Sequence, residues 1–349
     1  MTTAAAHPPP NVRPVPLRRA ALIFNPVAGR GEDDLDALRA QLEARFDLMV
    51  LATCPDQDAD ACARVALDDA PDLLIAAGGD GTVSMVAGAL VGTPRPLGII
   101  ARGTSNSIAT GLGIPTDLEG ALETLATGEV CAVDTARANG QPMILHASVG
   151  FHAATVAGTP RDAKHRWGIL AYIKEGLVNL GDLEPFQVEI ETEDAFVRCR
   201  AVNVTIANVA PPKTVLAQGP ATVSPADGAL DVTIVAARGL AEVVATGLHL
   251  LRTASRAEPA TRDNVGYLSA RRVRIATDPE QPLLVDGEPA GRGSLVAECL
   301  PRSLHVMLPS ARDISGHPPS DTNVAKLEGL PDLEVEPKSA SASPSRGAR

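Results

Sequence analysis

Carboxylates set at glycine corners are the residues best suited to chemistry in this chain. Asp80 stands in LLIAAGGDGTVSMVAGALV (residues 73–91), where an apolar run meets three glycines and a threonine before apolar spacing resumes. Glycines let the backbone approach a ligand closely, and a helix starting just after them aims its free N–H groups at an anion. A bare acid would repel a phosphate, so Mg²⁺ between the two, directly or through water, is the expected arrangement. Two further corners follow apolar strands: FNPVAGRG, with Asn25, Pro26, Gly29 and Gly31, and ARGTSNSIATGLG, with Gly103, Thr104 and Asn106. Taken singly, these two also read as an ordinary turn and an ordinary helix cap. GGDGT exceeds what a turn requires, and the three together point to one nucleotide-phosphate site.

Two later stretches supply more acid. SPADGALD places Asp227 and Asp231 around a glycine turn before a strand, and VDGEPAG places Asp286 and Glu288 across a glycine turn after one. Each DG pair alone reads as a hairpin. Facing a phosphate site, one could hold Mg²⁺ while the other takes a proton from an attacking hydroxyl. GxxxxGK[ST] occurs nowhere, GRGEDD and GRGSLV fail at the third glycine of GxGxxG, and the HRD and DFG signatures of protein kinases are missing. His146, His152 and His165 form no HxxxH metal pair and read as structural or surface residues; Trp167 and Tyr172 read as packing their own helix.

The elements that must position these residues change rhythm once. Residues 20 to about 135 alternate short apolar strands (ALIFN, LMVLA, DLLIAA, LGIIA) with helical spacing. One predicted helix carries Leu35, Leu38, Leu42 and Phe46 on a stripe, with Asp33 or Asp34 able to cap it, and a second runs through Ala61, Val65 and Ala66. Buried strands separated by helices predict a parallel sheet with helices on both faces, whose ligand lies beyond the strands' carboxyl ends. From about residue 136 the strands alternate, as in PFQVEIETE, VRCRAVNVTIANV, ALDVTIVAA, RRVRIAT and LHVML, which is the antiparallel pattern. Helices are expected near WGILAYIKEGLVNL and GLAEVVATGLHLLR. The expected division is a disordered leader over 1–17, an α/β domain over 18–135, a mostly β domain over 136–310 and a disordered tail over 311–349.

Composition bounds the partners. A chain of 349 residues, 45% hydrophobic but only 2% aromatic, can bury a large aliphatic core. Its net charge of −11 argues against nucleic acid as a partner, while leaving room for a nucleotide held by local N–H groups and a metal. Five scattered cysteines (Cys54, Cys62, Cys131, Cys199, Cys299) indicate neither a disulfide framework nor a zinc site, and suit the cytoplasm. No run approaches the roughly 18 apolar residues of a membrane-crossing helix. The sequence also shows no basic amphipathic helix, so membrane contact is expected to be brief and peripheral. An oligomer is compatible with all of this.

In order, FNPVAGRG, GGDGTVSMVAGAL, GIIARGTSNSIATGLGIP, SVGFHAATV, SPADGALDV and LLVDGEPAG resemble the diacylglycerol kinase catalytic family, in its bacterial soluble lipid-kinase branch related to sphingosine kinases. The resemblance covers about residues 20 to 310. GGDGT is shared with NAD kinases and phosphofructokinases; the later DGxLD and DGE elements narrow the match. It implies an α/β nucleotide domain like that of NAD and diacylglycerol kinases, a β-sandwich-like second domain, and ATP between them. By this match Asn25, Pro26, Val27, Ala28, Gly29, Thr53, Gly79, Asp80, Gly81, Thr82, Val83, Ser84, Met85 and Thr104 line the ATP site. Glu288 would be the general base with Asp286 close by. Asp227 would bind Mg²⁺ with main-chain oxygens near Ser224 and Ala229, and Asp80 and Asp134 would join its water network. Many relatives read GGDGTxNE where Ser84 and Met85 stand here, and GTxND where Ser107 follows Asn106, so a polar pair and one carboxylate are lost.

The expected function is an ATP- and Mg²⁺-dependent kinase of a lipid hydroxyl: diacylglycerol-like, phosphatidylglycerol or a sphingoid base. The alternatives are a kinase of a soluble hydroxyl acceptor such as NAD, and a nucleotide-binding regulator without catalysis.

Overall fold

The computed structural model describes residues 18–29, 33–150, 184–211, 223–237, 240–256, 258, 260–310 and 325–338. Gly31, His152, His165, Trp167, Tyr172, the helix expected around them and the leader lie outside the described residues.

The first half is built as its periodicity predicts. Strands β1 (Arg19–Phe24), β2 (Asp47–Ala52), β3 (Leu73–Gly78) and β4 (Leu97–Ala101) lie parallel in the order β4-β3-β1-β2. Because both faces of this sheet are covered, successive apolar residues in a strand serve opposite cores. Ala21, Ile23 and Leu74 pack with α2 (Ala59–Asp68) and α3 (Asp80–Leu90), whereas Leu22, Phe24 and Ile75 pack with α1 (Asp33–Glu43) and α5 (Leu118–Thr127). The short helix α4 (Ser107–Gly111) follows β4.

Helix α1 buries Leu38 and Leu42 as expected, while Leu35 is half-buried and Phe46 is buried from the turn after the helix. Helix α2 uses a different stripe from the expected one: Ala59, Cys62, Ala63 and Ala66 face the core, and Val65 is 48% exposed. The Asp58 carboxylate sets this rotation by accepting the Ala61 N–H at 2.9 Å, which fixes where the first turn begins. Helix α5 was not expected at all. Asp117 caps it through the Gly120 N–H at 2.8 Å, and Leu122 and Leu125 seal the sheet.

The second half forms two antiparallel layers. A six-stranded sheet has the order β12 (Val265–Ala270), β11 (Leu230–Val235), β10 (Asn203–Ala207), β7 (His146–Gly150), β14 (Pro282–Val285), β15 (Glu288–Arg292). Across a core of Val149, Ile206, Val232, Val188, Val197 and Ile275 it faces β8 (Phe186–Glu191), β9 (Ala195–Ala201) and β13 (Arg272–Asp278). The run VRCRAVNVTIANV thus divides at Val202 into β9 and β10, which belong to different sheets. Helix α6 (Leu240–Arg256) follows β11 and turns Thr246, Leu250 and Thr253 inward.

The boundary expected at 135/136 does not separate two sheets. Strand β5 (Glu129–Ala138) runs straight through it, with β6 (Gln141–Met143) along its end, and pairs with the 14-residue β16 (Leu295–Leu308). In turn, β16 lies parallel to β4 at Val306↔Leu97 and antiparallel to β13 at Val273↔Ala297. One eleven-stranded sheet therefore spans both halves. The tail expectation also needs correction. Within it, β17 (Glu334–Pro337) adds an edge strand to β9, Lys326 bridges Tyr267, and Leu330 is buried where Gly266 leaves room for it. Burial of one leucine and pairing of one sheet edge order a segment whose composition is otherwise polar.

Candidate active site

The loops after β1, β2, β3 and β4 emerge on one edge because the strands are parallel. Side chains lash them together. Asn25 Nδ2 donates to Thr82 Oγ1 at 2.8 Å, joining the first corner to α3, while its Oδ1 accepts the Val27 N–H at 3.0 Å. Arg102 Nη2 donates to the Ala28 carbonyl at 3.0 Å, and its guanidinium stacks 4.5 Å over the Phe24 ring. Thr53 joins the group through its N–H to the Phe24 carbonyl at 2.8 Å.

The second and third corners touch through their glycines. A Cβ on Gly103 would lie 2.6 Å from Gly79 Cα, so only glycine permits this approach. Asn106, at φ 48°, then clamps Gly103 by accepting its N–H at 2.8 Å and donating to its carbonyl at 3.0 Å. No side chain caps the N-terminus of α3 at Gly79, so its first-turn N–H groups remain available to an anion. Gly103→Ala is expected to push the corners apart and weaken the binding of a nucleotide phosphate there by about tenfold, or ~1.4 kcal/mol. Calorimetric titration checks this, and unchanged affinity would show that the corner tolerates the methyl.

Other residues assigned to the nucleotide site divide by exposure. Gly29 (at φ 75°), Gly81 and Thr104 are exposed at the open edge, with Val27 77% and Met85 43% exposed. Pro26 and Gly79 are half-buried, whereas Val83 turns into the core. Asp80 has a protein partner: its Oδ1 accepts the Ile108 N–H at 2.9 Å, which ties α3 to the first turn of α4.

Ser84 keeps the polarity that the departure from GGDGTxNE appeared to remove. Its hydroxyl donates to Asp286 Oδ2 at 2.6 Å. The same carboxylate accepts the N–H groups of Ile144 at 2.8 Å, Leu145 at 2.8 Å and His146 at 3.2 Å. Its lone-pair sites are thus filled, which suits Asp286 to holding structure rather than receiving a proton. Glu288, just beyond the turn, pairs with Val285 through the strand ladder, and its exposed carboxylate makes no hydrogen bond among the described residues. Burial pushes the His146 imidazole below its ordinary range, against the charges of Asp286 and Asp80 beside it.

A second acidic centre lies at the DGxLD turn. Asp134 accepts the N–H groups of Gly228 and Arg302, each at 2.7 Å, and Asp227 Oδ1 accepts the Ala229 N–H at 3.1 Å. Burial raises the pKa of both, and Asp134 adds its charge to the rise at Asp227. Asp231 is driven to about 7 by burial and then by Asp227. Among the described residues, no three His, Cys, Asp or Glu side chains are arranged to hold a metal. A site of one carboxylate, main-chain oxygens and water still suits a hard cation such as Mg²⁺. The crowded carboxylates favour such a cation, as does the buried Asn208 Oδ1, which has no hydrogen-bond partner among the described residues. Asn208 Nδ2 donates to the carbonyls of Asp134 at 3.1 Å and Ile144 at 2.9 Å, linking this centre to the backbone that Asp286 holds.

Sequence reasoning passed over Arg102, Asn208 and the bond between Ser84 and Asp286. A basic residue inside a glycine corner was a local signal for Arg102; the other two depend on contacts between distant segments.

Comparison with known proteins shows the family. Residues 19–138 match the diacylglycerol kinase catalytic domain, and residues 146–308 match the YegS C-terminal NAD kinase β-sandwich-like domain. A diacylglycerol kinase of Bacillus subtilis is 32% identical over 306 residues, which are 85% of this chain and 98% of that one. An uncharacterised protein of Synechocystis is 38% identical over 301 residues, 82% of this chain and 70% of its own. In fold, the chain resembles the crystal structure of a diacylglycerol kinase from Bacillus anthracis, with a TM-score of 0.64 at 22% identity, covering 84% of this chain and 98% of that one. The chain is an enzyme that belongs to the diacylglycerol kinase family of lipid kinases.

Proposed function

We propose that the protein transfers the γ-phosphoryl group of ATP to a lipid hydroxyl, with Mg²⁺. The observation that carries this reading is the bond from Ser84 of α3 to Asp286, two residues before Glu288, which ties the Glu288 hairpin to the helix whose N-terminus forms the phosphate corner. The three corners hold the triphosphate with their N–H groups. Glu288 takes the proton of the acceptor hydroxyl, whose oxygen bonds to the γ-phosphorus as the bond to the β-phosphate oxygen breaks and ADP leaves. Asp227, with main-chain oxygens at Ser224 and Ala229, would hold Mg²⁺. The ion would supply charge neutralisation near the transferred group, and Asp80 and Asp134 would order the surrounding water. Labelled ATP, Mg²⁺ and micelles of diacylglycerol, phosphatidylglycerol or sphingosine test this reading, with NAD in a parallel tube. Label entering a lipid supports it, and label in NAD alone or in neither defeats it.

The lipid would be met during brief membrane visits. Among the described residues no helix is long and apolar enough to cross a membrane. Helix α6, however, presents Leu248, 63% exposed, on one face with exposed Arg252 and Arg256, a basic amphipathic face that the sequence reading did not find. One basic residue near an anionic surface contributes about 1 kcal/mol. Leu248→Asp combined with Arg256→Glu is therefore expected to weaken sedimentation with phosphatidylglycerol vesicles by about fivefold or more. Unchanged sedimentation would assign docking elsewhere.

A further inference from the structure

Three of the four donors on Asp286 belong to its own sheet, since residues 144–146 lead into β7 and β7 pairs with β14. The fourth, Ser84 Oγ, comes from the other half of the molecule, 202 residues away in sequence. Asp286 and Gly287 form the turn between β14 and β15, with φ of 47° and 87°. Two positive-φ residues in a two-residue loop fix the path of the returning strand. Glu288 is the first residue of that strand. At the other end of the bond, Ser84 sits one turn into α3, after the Asp80–Thr82 turn that forms the phosphate corner.

We propose that Ser84 is a positioning residue. Its hydroxyl holds the Asp286–Gly287 turn against α3 and so sets Glu288 relative to the phosphate corner. This rests on the lipid-kinase reading in which Glu288 is the base. Alanine at position 84 removes the one side-chain tie to Asp286 among the described residues and leaves its three main-chain donors, so the hairpin stays folded while losing its reference to α3. Threonine retains the hydroxyl.

The test compares wild type, Ser84→Ala and Ser84→Thr in the full chain. Without ligand, hydrogen exchange at the Ile144, Leu145 and His146 amides is expected to quicken about fivefold in Ser84→Ala, as for the loss of one hydrogen bond. Ser84→Thr should exchange like wild type. With ATP and whichever micellar lipid accepts label, Ser84→Ala should lower kcat about tenfold at unchanged KM for ATP, a loss that Ser84→Thr recovers. Added to Glu288→Gln, it should cause no further loss, because the tie acts through that carboxylate. Unchanged exchange, a rise in KM for ATP at constant kcat, or an additive loss in the double variant would each overturn the proposal. If wild type labels none of the lipids, the lipid-kinase reading fails, and the exchange experiment still decides the tie.

Discussion

Glu288→Gln is expected to lower turnover by about 10²–10⁴-fold, the range for removing a positioned general base. Glutamine preserves the size and one oxygen of the side chain but cannot take up the proton of the acceptor hydroxyl. Because the Glu288 carboxylate is exposed and makes no hydrogen bond among the described residues, the change removes nothing that the fold uses. Stability should therefore stay within about 0.5 kcal/mol of wild type. ATP affinity should also persist, since the three glycine corners are untouched. Transfer assays, a denaturant melt and an ATP titration on one preparation separate these effects. Wild-type turnover in Glu288→Gln would remove this residue from the chemistry. Asp286→Ala offers a contrast: it would leave three main-chain N–H groups without their acceptor, and stability should fall along with activity.

The second large effect concerns Asp231. Its carboxyl is raised to about 7 from 3.8, first by burial and then by the charge of Asp227, against a hydrogen bond from Ser269. Between those two pH values the folded metal-free protein holds a proton that the unfolded chain has released. Stability must then fall as pH rises through the window, with the full penalty present above pH 7. The span corresponds to about 4 kcal/mol at most. Asp231→Asn cannot ionise, so in chelator at pH 8 it should be more stable than wild type by up to about that amount, and its stability should be flatter with pH. Mg²⁺ should narrow the gap by stabilising wild type more. Denaturant melts at pH 5 and pH 8, with chelator and with Mg²⁺, measure both slopes. Parallel slopes for the two proteins would show that Asp231 is not held protonated by its surroundings.

What was legible in the sequence was local. The corners after β1, β3 and β4 announce themselves because each combines an apolar run, glycines and a helix start within a dozen residues, and a parallel sheet must then bring them to one edge. The stripe of α1 was readable for the same reason. The stripe of α2 was not, because alanines dominate it and the Asp58 cap, rather than hydrophobicity, decides which face turns inward. The break at Val202 left no mark, since an unbroken alternating run can feed two layers as readily as one. The final segment misled because its order comes from pairing with β9 and from Gly266 opposite Leu330, far away in sequence. For the site itself, spacing alone gave Asp286 and Glu288 as a pair of acids, and only the family resemblance set Glu288 apart as the base. The donors that fill the Asp286 carboxylate, from Ile144, Leu145, His146 and Ser84, left no mark because none of them is near residue 286 in the chain.

Strand β16 has a consequence for how the protein is born. Its closing residues complete the outer side of β4 and cover β5, so both remain open until about residue 308 has been made. A ribosome carrying only the first 138 residues therefore holds a half-finished sheet with a bare, apolar edge. Such edges invite pairing with other nascent chains, and closing them over so long a loop is slow. The sheet of the first half is therefore expected to close only when the last long strand leaves the exit tunnel, and until then its open edge is the part of the nascent chain most exposed to misassembly.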